Sequence, residues 1–108
     1  MNAALPWPGV EIRLLVALER VARAGSFSGA AKELGYTQSA VSGQISALER
    51  VVGARLVDRV RGGRTVRLTA EGAALYRHAS AINAQLVAAQ IELPRCSASR
   101  RRCDGRGL

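Results

Sequence analysis

Three glycines, Gly25, Gly35 and Gly53, divide the first half of the chain, and each follows a run whose apolar residues recur at helical spacing. Glycine just past such a run is a helix stop, because it enters the left-handed conformation without steric cost. From Val10 to Ala24, Leu14, Leu15, Leu18, Val21 and Ala22 describe a first amphipathic helix. Ser26 or Ser28 caps a second, short one, SGAAKEL, whose slim face is Ala30, Ala31 and Leu34. Thr37 caps a third that runs to about Val52. The second and third, joined by a turn of about three residues around Gly35 and Tyr36, have the spacing of a helix-turn-helix.

After Gly53 the pattern changes. LVDRV and TVRL, joined by RGG and Arg64, read as a β-hairpin with a glycine-bearing turn. Thr69 then caps a long fourth helix, AEGAALYRHASAINAQLVAAQIEL, which Pro94 closes. The expected organisation is a flexible lead-in over 1–9, a winged helix-turn-helix domain over 10–69, a long helix over 70–93, and a disordered basic tail over 94–108. A hydrophobic content of 48% with only 4% aromatics agrees with a mainly α body built on Ala, Leu, Val and Ile.

The formal net charge is +8, and the basic residues are 15 Arg to one Lys. Arginine's planar fork suits phosphates and guanine edges, so a polyanionic partner is implied. Half of the excess lies in the tail, which limits what the charge says about the folded part. No stretch has the apolar length to cross a bilayer and no basic leader precedes an apolar run, so a cytoplasmic chain is expected. Cys96 and Cys103, with His78 as the one histidine, do not make a metal site, and they are expected as reduced thiols. No credible acid–base or nucleophilic pair is present, so no enzyme and no cofactor are expected.

The third helix, GYTQSAVSGQISALE with its lead-in, is the least charged segment of this basic chain. Val41, Ile45, Leu48 and Val52 form one apolar stripe, which makes it the core face. Ser39, Gly43, Ser46 and Arg50 point the other way, with Ser42 on the flank and Gln38 in the first turn. A helix that sits in the major groove, about 12 Å wide, profits from small hydroxyl and amide side chains that let its backbone approach base edges. Its amino end adds free N–H groups and a positive dipole end. Charge comes from the hairpin: Arg55, Arg59, Arg61, Arg64 and Arg67. The blander readings are a solvated serine-rich helix with Gly43 as a packing accommodation, and a merely solvated hairpin. The order of the elements favours the first reading.

In the fourth helix Leu75, Ala79, Ile82, Leu86, Ala89 and Leu93 alternate spacings of four and three, the signature of a seam buried against another helix. That helix is expected from a second copy, giving a homodimer. The competing reading is that the seam packs on the chain's own body.

The run GSFSGAAKELGYTQSAVSGQISALERVVGARLVDRVRGGRTVRLTAEG resembles the amino-terminal winged helix-turn-helix domain of LysR-type transcriptional regulators. Most diagnostic are GSF followed by AA and L, then QSAVS, QI and LE, and finally RLT with a following EG. The resemblance implies three helices plus a two-stranded wing, then a long dimerising helix, and sequence-specific binding of double-stranded DNA. It implies base reading by Gln38, Ser39, Ser42 and Gly43, and places Thr37, Gln44, Arg59, Arg64 and Thr65 near the DNA backbone, with Phe27 as a core plug. Three departures stand out: Gly43 where the family often has Arg or Lys, LVDR in place of LF-R, and no effector-binding domain after the fourth helix. No small-molecule effector site is therefore expected in this chain. An alternative role is a truncated dimerisation partner that modulates full-length paralogues.

Overall fold

The computed structural model describes residues 7–59 and 65–93. Four helices and one hairpin follow in the order α1 (Ile12–Ala24), α2 (Phe27–Leu34), α3 (Gln38–Val52), β1 (Val57–Arg59), β2 (Val66–Leu68) and α4 (Ala70–Glu92). The strands are antiparallel, with Val57 opposite Leu68 and Arg59 opposite Val66. This is the mainly helical, winged architecture expected. The predicted turn with Arg61 and Arg64, and the tail with both cysteines, lie outside the described residues.

The helix boundaries follow from side-chain caps and glycine stops. Ser26 Oγ accepts from the Gly29 N–H at 3.0 Å, and Thr37 Oγ1 from the Ala40 N–H at 3.0 Å. Each satisfies one of the donors that a helix start leaves unpaired. Gly25, Gly35 and Gly53 take φ of 75°, 73° and 76°, and each ends its helix by returning its N–H to a carbonyl of the last turn. Gly35 does so with bounds that leave a short turn between α2 and α3. The first helix starts at Ile12, later than the apolar pattern suggests, with Glu11 as its cap position and no side-chain cap bond. Residues 7–9 of the predicted lead-in form a turn in which Val10 N–H reaches Trp7 O at 3.1 Å.

α1 is the hub, touching α2, α3, α4 and β2. Leu18 and Val21 are fully buried there, beside Ala30 of α2, Val41 and Leu48 of α3, and Leu56 before the wing. β2 is fastened directly to this hub, since Val66 N–H donates to Gly25 O at 2.9 Å. Glu19 of α1 is also buried, at 4% exposure, where it pairs with Arg23 at 3.1 Å and Arg20 at 3.6 Å.

α4 departs from the sequence expectation. Ala79 is buried in the chain's own core at 1% exposure, and Leu75 packs against that core. The amino part of the predicted dimer seam thus packs on the chain's own core, which buries Ala79 and half-buries Leu75. Beyond it Ile82, Leu86, Val87, Ile91 and Leu93 are exposed, and Ala89 with them.

Candidate nucleic-acid interface

The two faces of α3 separate cleanly. Val41, Ile45 and Leu48 are 0–2% exposed, whereas Gln38, Ser39, Gly43, Ser46 and Arg50 lie open to solvent. Helical winding accounts for this, since the apolar residues at 41, 45 and 48 share one side and leave the small polar residues on the other. Gly43 has open space where a Cβ would stand, with nothing within 4 Å. No packing neighbour therefore requires glycine there. Among the described residues the first turn of α3 carries no acidic side chain, so its exposed N–H end keeps its positive character.

Two of the predicted contact residues are half-buried rather than fully open: Ser42 and Gln44. Gln44 lines a groove between α3 and the start of α1, together with Arg13 and Arg50, and its Oε1 is buried without a hydrogen-bond partner. Thr37 is exposed, with its hydroxyl oxygen engaged in the cap, and Thr65 is exposed beside β2.

The wing and α3 are tied at two points. Arg59 of β1 places its guanidinium 4.7 Å from the Phe27 ring centroid and donates from Nη2 to Ser42 Oγ at 3.2 Å. Phe27 itself is a core residue at 6% exposure, so this platform is fixed. On the other side Glu49 Oε2 accepts from the N–H groups of Leu56 at 2.8 Å and Val57 at 3.3 Å. The carboxylate thereby holds the start of the wing against the end of α3, with charge-assisted bonds. The lead into α4 closes the frame. Thr69 N–H reaches Leu56 O at 3.0 Å, while Thr69 Oγ1 donates to Arg55 O at 2.6 Å and accepts from Gly72 N–H at 2.9 Å.

Glu49, Gly72 and the Ser42–Arg59 bond frame this surface, and nothing local in the sequence marks them. Glu49 meets amides seven and eight residues away, past the end of α3 and beyond the three- or four-residue reach of side chains along one helix. The near absence of bulk at Gly72 matters only because Leu56 passes beside it.

A family model described as bacterial regulatory helix-turn-helix protein, lysR family, matches residues 12–73, more than half of the chain. The chain belongs to the LysR family. It is 49% identical over 71 residues to the HTH-type transcriptional regulator CfxR of Cupriavidus necator, which covers 66% of this chain and 22% of that protein. It is 38% identical over 79 residues to the HTH-type transcriptional regulator CrgA of Neisseria meningitidis, covering 73% of this chain and 26% of that protein. The chain thus spans about a quarter of the length of these curated relatives. Among solved structures, the BenM_DBD/catB site 1 DNA complex superposes with a TM-score of 0.72 at 31% identity, covering 82% of this chain and 96% of that one. The CbnR_DBD-DNA complex gives 0.68 at 34% identity, covering 82% and 99%. No helix of the described residues is long and apolar enough to cross a membrane.

Proposed function

We propose that this LysR-family chain is a sequence-specific DNA-binding module of a transcription regulator, acting in the cytoplasm on double-stranded DNA. α3 lies in the major groove, with Gln38, Ser39, Ser42 and Gly43 toward the bases. Residues 56–68 lie on the flanking DNA, and Thr37, Gln44, Arg59, Arg64 and Thr65 serve the backbone. Two copies join through the exposed half of α4, at Ile82, Leu86 and Ala89, and read a two-fold-related site. The kinship with DNA-bound domains supports the partner.

One observation carries the reading: α3 buries its aliphatic stripe and turns outward a face of serine, glutamine and an uncrowded glycine. A helix interior glycine costs about 1 kcal/mol relative to alanine. With no internal neighbour to accommodate, Gly43 leaves room for something outside the chain, and a base edge fits that room.

Selection of bound sequences from a random DNA pool tests this. An enriched site with two inverted halves is expected; a pool that stays random after repeated rounds refutes base reading by α3.

A further inference from the structure

Ser42 and Arg59 come from different elements, and the function proposed for each treats them separately: one toward bases, the other toward the DNA backbone. The structure joins them. The Arg59 guanidinium lies over the buried Phe27 ring and donates to Ser42 Oγ, and no ion pair claims it among the described residues. Asp58, its chain neighbour, pairs instead with Arg55 at 3.9 Å, and Glu49 Oε2 is taken by the Leu56 and Val57 amides. Arg59 is therefore held by a ring face and a hydroxyl rather than by a carboxylate.

The direction of that bond has a chemical consequence. A serine hydroxyl has one proton to donate and an oxygen that accepts. Arginine only donates, so the Ser42 oxygen is the acceptor in this pair and its own proton has no acceptor side chain among the described residues. The oxygen's second lone pair stays free, but it lies beside the guanidinium charge, which repels a further N–H donor. In the major groove guanine, adenine and thymine each offer an acceptor, whereas cytosine offers only its N4 amino donor.

We propose that Arg59 is a positioning residue for base reading: by donating to Ser42 Oγ and setting its charge beside the remaining lone pair, it biases that hydroxyl toward donating, so that Ser42 disfavours cytosine at one position of the site. This rests on α3 facing the bases as proposed above. Removing Arg59 frees the hydroxyl to rotate and accept from cytosine; removing Ser42 leaves nothing at that position to discriminate.

The test compares base preferences of the full chain and of Arg59→Ala, Ser42→Ala and the double variant by selection from a random DNA pool, with thermal melting to check that each is folded. The wild type should show one position depleted of cytosine. Arg59→Ala should readmit cytosine there, by about tenfold for a contact of ordinary strength. Ser42→Ala should flatten the same position, and the double variant should match Ser42→Ala. If Arg59→Ala weakens binding to all sequences alike with preferences unchanged, Arg59 is a phosphate contact alone and the inference is wrong. If the wild type enriches no sequence, the DNA-reading assignment itself fails and this one falls with it.

Discussion

Two helical glycines carry opposite meanings. Gly43 stands in open space, so Gly43→Ala should raise stability by about 1 kcal/mol while weakening binding to the selected site. Urea midpoints and a binding titration measure the two effects; a variant that gains stability and binds as before would show that the room at 43 is unused. At Gly72 a Cβ would meet the Leu56 carbonyl, which is backbone and cannot step aside. Gly72→Ala should therefore cost about 1–3 kcal/mol, as overpacking does. Neither sign was legible in the sequence, where both are glycines inside helical patterns. The difference lies in whether a distant segment passes close by, and periodicity carries no information about that.

At the scale of elements, local chemistry was most informative. The apolar period of α3 and the hydroxyls of Ser26, Thr37 and Thr69 fix where helices begin and which side is buried, because both depend on neighbours within a few residues. Glu19 was not legible: a carboxylate on α1 reads as a solvated charge until the packed structure covers it. Its Oε1 is buried without a hydrogen bond although both arginines are near. Replacing a buried ion pair by a well-packed apolar residue is often neutral or stabilising. Glu19→Leu should accordingly leave the thermal midpoint unchanged or raised, and a clear drop would mean that the Arg20 and Arg23 contacts outweigh the burial. On α3, Gln38→Ala should lose about 1–3 kcal/mol at the selected site and little on random DNA. Equal losses on both would take Gln38 off the list of base readers.

For the whole molecule, the alternating spacing in α4 marks one apolar face, of which the chain's own body covers only the first part. The chain's own body buries Ala79 and half-buries Leu75, since α4 begins beside α1 and the wing, and it leaves Ile82, Leu86, Ile91 and Leu93 uncovered. Leu86→Glu should then give monomers in sedimentation equilibrium without loss of helix content. A dimer that survives this change would locate the contact elsewhere. The buried peptides of Leu56 matter most at this scale. Its N–H goes to Glu49 in the last turn of α3 and its carbonyl receives Thr69 N–H at the start of α4. Leu56 thus pins the last turn of α3 to the first turn of α4, beside the packing both helices share on α1, so neither can tilt without disturbing the other's anchorage.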